Sequence, residues 1–267
     1  AVNTDQVKHL HLRWPGRSLP VSEDPRLLSA AWSAAVDAPS DAHLATLRAA
    51  VDADFARFDF QPVLRPWLDA FAKPAMNLSR AIGQANRDMD ASLGLSNRTI
   101  FAADVWAGRA FATLAYHIAA HADRFAADYN AALRAYRAST GGADPNRPMP
   151  DLVTSDDAIE LPLWLDDLDH YTRSRPTVFR EPDGHWTLQL VEDDRFEFDP
   201  AMDPARAADA LQAFLQRNHR RFAPRALTLT LFMRLCVVDE CVRGIGGARY
   251  DMVTDRLIRA HFDLEPP

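Results

Sequence analysis

The sequence predicts a helix-rich α/β or α+β protein, and three observations carry that prediction. Apolar residues recur at 3.6-residue spacing over a long stretch, about residues 103–138. Short alternating runs with a hairpin turn occupy about 158–198. Asp-Pro pairs and single glycines punctuate the remainder where helices should begin and end.

The first segment, Val7 to Trp14, alternates Val7, Leu10, Leu12 and Trp14 with Lys8, His9, His11 and Arg13. That pattern suits a strand, stopped by Pro15-Gly16. A chain that enters directly on a strand reads as a trimmed piece of something longer. From Pro25 to about Gly94 the pattern is helical. Asp24 before Pro25 supplies a cap and a proline at the first helical position, and Leu27, Leu28, Ala31, Trp32 and Ala35 follow at helical spacing. A second helix near Asp41 places Leu44, Leu47, Val51 and Phe55 on one face. Two more are expected at Pro62–Phe71 and Asn77–Leu93, the last ended by Gly94.

The stripe over 103–138 comprises Phe111, Leu114, Ala115, Ile118, Ala122, Phe125, Tyr129, Ala132, Leu133 and Tyr136. It predicts one long central helix, the spine of a bundle. The glycine- and proline-rich stretch 139–150 then reads as a loop, dividing a mainly helical region (1–140, with its N-terminal strand) from 150–267. A single continuous domain is the alternative. Beyond the loop, ELPLWL, TVFRE, WTLQLVE and FEFD predict a small antiparallel meander, with Pro182-Asp183-Gly184 as one turn. A helix is expected over Asp203–Arg221. Two C-terminal helices follow between Arg225 and Phe262, broken at Gly244-Ile245-Gly246-Gly247.

Composition narrows the function classes. The chain has 267 residues, 48% hydrophobic and 25% charged, which suits a folded globular protein. A net charge of −7 argues against a general nucleic-acid or anionic-membrane binder. Cys236 and Cys241 would point about 140° apart on one helix, so they do not close a disulfide there. No signal-peptide core and no run of ~18 apolar residues is present, and a cytoplasmic location is expected.

Four clusters are candidate sites. His117 and His121 share a helix face and could hold one metal ion, although isoleucine stands where the metalloprotease pattern needs glutamate. Arg243, Gly244, Gly246, Gly247 and Arg249 lead into the last helix. Glycines there admit backbone N–H groups to an anion, and the arginines can pair with phosphate or carboxylate. The alternative is a plain turn. Arg217, His219, Arg220, Arg221 and Arg225 form a basic cluster that suits a helix end, or adds Arg225 to that anion pocket. Asp251 and Asp255, one helical turn apart, are candidate catalytic groups that would orient Mg²⁺ or move a proton; Asp239 and Arg234 sit in an otherwise apolar run. Tyr129, Asn130, Tyr136, Arg137, Asn146 and Arg147 complete the set, as core residues or a substrate-contacting loop.

The blocks FAADYNAALRAYR (125–137), NRPMPDL (146–152), ELPLWL (160–165), RALTLTLFMRL (225–235) and GIGGARYDMVTD (244–255) resemble a bacterial, planctomycete-like family of uncharacterised proteins. That family favours histidine where this chain has Arg243. More distantly, the order of elements is similar to the cysteine-adding enzyme of bacillithiol biosynthesis. The resemblance implies a ligase-type enzyme that joins an amino acid to an amine on a Rossmann-like core with helical parts. The expected function is therefore small-molecule binding, ligase-like, on an anionic substrate, with Mg²⁺ or a nucleotide as cofactor. A helical interaction module and a metal-dependent hydrolase using His117 and His121 are the alternatives.

Overall fold

The computed structural model describes residues 11–27, 36–56, 64–71, 77–141, 149–191, 194–241 and 245–267. The fold is helix-rich α+β, with small antiparallel sheets. It divides into two compact units, Ala1–Val105 with His170–Thr172, and Trp106–Asp169 with Arg173–Pro267.

In the first unit, strands β1 (His11–Trp14) and β2 (Arg17–Pro20) form a hairpin about Pro15-Gly16. Gly16 has φ +82°, a conformation that glycine adopts without strain. The expected strand is thus its last four described residues, while 7–10 lie outside the described part. Pro25–Leu27 is a single tight turn, and the helix expected to continue from it falls on residues outside the described part.

Helix α1 (Asp41–Phe55) begins where the Ser40 hydroxyl accepts the His43 backbone N–H at 3.2 Å. Helix α2 (Leu64–Ala70) is short. Helix α3 (Leu78–Ser92) is capped by Asn77, whose side chain accepts the Arg80 N–H at 3.0 Å, and ends at Gly94 with φ +77°. Leu44, Leu47 and Val51 bury on one face against Leu12, Leu68, Leu78 and Ile82 to form this unit's core.

The second unit carries the apolar stripe, but as three helices rather than one. These are α4 (Ala102–Trp106), which crosses the division, α5 (Arg109–Ala120) and α6 (Ala122–Thr140). The expected helix over 103–138 is corrected at two points. Gly108 is extended and caps α5. His121, at φ −117° and ψ 32°, closes the last turn of α5 by donating its backbone N–H to the His117 carbonyl at 3.1 Å. The stripe itself is buried: Phe111, Leu114, Ile118, Phe125, Tyr129, Leu133 and Tyr136 are all in the core, with none left as an open face.

Strands β3 (Ala158–Glu160), β4 (Leu163–Asp167), β5 (Thr172–Ser174), β6 (Thr177–Arg180), β7 (Trp186–Val191) and β8 (Asp194–Phe198) follow. The meander is real but incomplete, because its sheet has the order β3-β6-β7-β8. Gly184 at φ +90° makes the β6–β7 turn. Strand β4 leaves the meander and pairs antiparallel with β9 (Arg220–Pro224). Helix α7 (Pro204–Arg217), capped by the Asp203 carboxylate, therefore stops four residues short of the expected end. His219, at φ +49°, turns the chain into β9.

Helix α8 (Ala226–Phe232) passes directly into a π-helical turn, Met233–Val237, and Val238 is extended. Helix α9 (Ile245–Leu257) ends the same way, in a π turn at Ile258–Phe262. Gly246 and Gly247 thus lie in the first turn of α9 instead of in a break between helices. Single π turns within α-helices are frequent at functional sites, which draws attention to what these two carry.

Candidate functional site

The basic cluster resolves first, and against an anion pocket. Residues 220–224 form a strand and not a helix end, in register with β4, so Asp166 faces Arg221 and Asp167 faces Arg220. Asp166 is fully buried and accepts from Arg173 at 2.7 Å and from Arg221 at 2.7 Å. Arg220 meets Asp167 at 2.9 Å, and His219 meets Asp169 at 2.9 Å. Arg225 is only 6% exposed, and its guanidinium is committed to Glu160 at 2.5 Å. Glu160 also accepts from the Val153 N–H at 3.1 Å and pairs with Arg175 at 3.5 Å. The expectation that Arg225 adds charge to an anion site is corrected: its charge is neutralised inside the core.

The residues flanking the loop after α6 serve the fold. The Asn130 amide spans the backbone of Leu152, donating to its carbonyl at 3.0 Å and accepting its N–H at 2.8 Å. Arg137 donates to the Asp151 carboxylate at 2.7 Å and to the Met149 carbonyl. Tyr129 and Tyr136 are core residues. Burial raises the Tyr129 hydroxyl to about 12, against a smaller opposing pull from nearby Arg225. Asn146 and Arg147 lie outside the described residues.

Of the glycine-turn cradle, Arg243 and Gly244 lie outside the described residues, as does the Arg249 side chain. Among the described residues, a pocket of about 240 Å³ is lined by Arg234, Val238, Glu240, Cys241, Asp251, Asp255 and Pro267. Arg234, on the π turn after α8, is one of its walls. The guanidinium is 10% exposed and reaches Asp255 at 2.7 Å and Asp251 at 3.7 Å. It also donates to the Pro267 carbonyl at 2.8 Å. Asp251 and Asp255, one turn apart on α9, therefore converge on one cation. Their spacing had suggested a shared face; the partner at position 234 was visible only as a charge in an apolar run. The described lining holds one guanidinium and the three carboxylates of Glu240, Asp251 and Asp255, so it is acidic. Cys236 is exposed and Cys241 is half-buried.

The second π turn carries a group that sequence reasoning missed. His117 does not pair with His121 as two ligands on one helix face. Instead its Nε2 lies 3.1 Å from Nε2 of His261, which is 144 residues away in sequence. On its other side, His261 Nδ1 meets the Asp128 carboxylate at 3.0 Å. His121 turns its Nδ1 back to the His117 carbonyl at 2.9 Å. The His261 side chain is 2% exposed and that of Asp128 is 24% exposed. Phe125 and Phe262 wall the cluster, with ring centroids 4.9 Å from His261 and 5.4 Å from His117. Burial, with smaller like-charge contributions from His121 and His261, holds His117 down at about 4. Burial also lowers His261, partly offset by Asp128. Both rings are thus neutral near pH 7. No local pattern announces His261, since α9 and α6 meet only in the folded chain.

Among the described residues, no group of three or more His, Cys, Asp or Glu is arranged to hold a metal ion. No helix of the described residues is long and apolar enough to cross a membrane. Comparisons with protein-family models, with curated proteins and with solved structures return no match for this chain.

Proposed function

We propose that the protein is a small-molecule-binding enzyme, ligase-like in chemistry, whose substrate sits in the pocket lined by Arg234 and by Asp251 and Asp255 of α9. The observation that carries this reading is the convergence of Asp251 and Asp255 on Arg234 at a pocket of about 240 Å³. A guanidinium buried against two carboxylates is costly to maintain for stability alone, and this one opens onto a cavity.

The acidic lining suits the amine end of a substrate, which Asp255 and Glu240 would receive. The anionic end, a carboxylate or phosphate, falls in this reading to Arg243 and Arg249, with Gly246 and Gly247 admitting it to the first turn of α9. Asp251 and Asp255 would serve as proton acceptors for the attacking amine, or orient Mg²⁺ beside a nucleotide phosphate. The acidic net charge supports a cytoplasmic setting without a nucleic-acid or membrane partner.

The test is a thermal-shift series on the purified chain with amino acids, phosphosugars, nucleotides and Mg²⁺ at matched ionic strength. A ligand at 100 times its Kd stabilises by about 2.7 kcal/mol, a shift of a few degrees for a chain of this size. We expect a saturable shift with a carboxylate- or phosphate-bearing amine, lost in Asp255→Asn and in Arg243→Ala/Arg249→Ala. A shift that survives both variants places the ligand elsewhere and overturns the assignment.

A further inference from the structure

Side chains from α5, α6 and the last π turn form one hydrogen-bonded chain, and the donor in each link is fixed. A carboxylate only accepts, so His261 Nδ1 donates to Asp128 at 3.0 Å. The neutral His261 ring then carries its lone pair on Nε2. The ring-to-ring contact of 3.1 Å therefore has His117 Nε2–H as its donor. The order runs from His117 through His261 to Asp128.

Proton counting gives this chain a property that neither histidine has alone. One added proton can be held on His261 Nε2, provided that His117 changes tautomer and accepts it. A second sets N–H against N–H across 3.1 Å and puts two cations in a buried cluster. Two separated imidazoles have no such limit, and each takes up a proton near pH 6.5. In acid the joined pair thus holds at least one proton fewer than the separated pair, so acid favours separation.

We infer that Asp128, His261 and His117 form an acid-operated latch, which fastens the π turn Ile258–Phe262 to α5 and α6 at neutral pH and releases it on protonation. It is independent of the pocket assignment. The charged and titratable groups that face the pair fit this role. From α5 comes His121, whose Nδ1 donates to the His117 carbonyl at 2.9 Å. From α6 come Asp128 and Arg124, and Arg124 also donates to the Ala260 carbonyl of the π turn at 3.2 Å. On the turn itself, Arg259 pairs with Glu265 at 3.4 Å. Asp128 can offset one imidazolium, whereas Arg124 and His121 oppose a second. Burial, ahead of these like charges, holds latched His117 at about 4, against an ordinary 6.5. Its contribution to closure is therefore complete above pH 6.5 and is lost as pH falls toward 4. Ile258 and Phe125 are buried in the latched form, so release uncovers apolar surface that neutral pH conceals.

The experiment is hydrogen exchange on the full chain, read at the backbone amides of Ile258–Phe262 and corrected for intrinsic exchange. From His117 alone, the open fraction should rise roughly 10- to 30-fold between pH 7.5 and pH 5. His117→Gln is the informative variant. Its amide donates to His261 Nε2 when that ring is neutral and accepts from it when protonated, so no proton is excluded. The rise should fall below about threefold in this variant. An unchanged open fraction in the natural chain overturns the latch. So does a His117→Gln chain that keeps the full rise, because acid then acts elsewhere. If His117→Gln exchanges fast at both pH values, the contact itself has been lost, and imidazole ¹⁵N titration of the natural chain decides. His117 and His261 titrating together near 6.5 would overturn the latch; both staying neutral well below that value would support it.

Discussion

Charge is buried in two ways within the second unit, and the contrast separates scaffold from candidate chemistry. Along β4 and β9 the ionisable groups are closed on one another. Asp166 has two guanidinium partners at 2.7 Å, and Glu160 has Arg225, Arg175 and a backbone N–H. Along the α8 and α9 π turns the arrangement is open. Arg234 faces carboxylates that are 29% and 36% exposed at a cavity, and His117 is half-buried against His261. Closed networks specify a register; open ones retain something to offer a ligand.

The largest expected effect lies on the closed side. Asp166→Asn removes the buried carboxylate that Arg173 and Arg221 share, two side chains that are themselves only 12% exposed. Breaking a buried pair from one side costs about 3–5 kcal/mol. Urea denaturation should show an unfolding free energy lowered by that much, read as a lower midpoint at an unchanged slope. A loss below about 1 kcal/mol would mean that water reaches Asp166, and the distinction between closed and open would fail at its strongest point.

The same contrast explains what the sequence discloses. Helices α1, α3 and α7 were legible because Ser40, Asn77 and Asp203 cap them locally and because their apolar faces repeat within one turn. The β6–β7 hairpin was legible from Asp183-Gly184. Strand β9 was not, since Arg220 and Arg221 read naturally as the basic end of a helix; only their pairing with Asp166 and Asp167, more than 50 residues earlier, makes them a strand. The break at His121 has no glycine or proline to announce it. Among candidate residues, Asp251 and Asp255 could be singled out by spacing, and Arg234 as a charge out of place. His261 could not, because its partners come from α5 and α6 and sequence separation carries no signal of that meeting.

An intermediate effect is expected at high pH, where Tyr129 lies beside the closed network. Its folded-state value, about 12, is above the ordinary 10.0. The unfolded chain therefore releases this proton first. The stability that Tyr129 contributes is complete below about pH 10 and is lost as pH rises toward 12. Tyrosinate absorbance should show one phenol silent until about pH 12, and Tyr129→Phe should flatten the alkaline limb of the stability curve. A phenol at position 129 that titrates near 10 would show that this part of the core admits water.

The smallest effect on stability should come from the open side, at Asp255. Its carboxylate is 36% exposed and shares Arg234 with Asp251, so Asp255→Asn leaves the guanidinium with a partner. A partly exposed pair of this kind contributes roughly 0–1 kcal/mol. The melting temperature of the free protein should thus move by no more than a few degrees, while the ligand-induced shift disappears. That dissociation is the signature of a residue kept for binding. If Asp255→Asn instead unfolds the chain as Asp166→Asn is expected to, the Arg234 cluster belongs with the closed networks. The pocket beside α9 is then a by-product of packing.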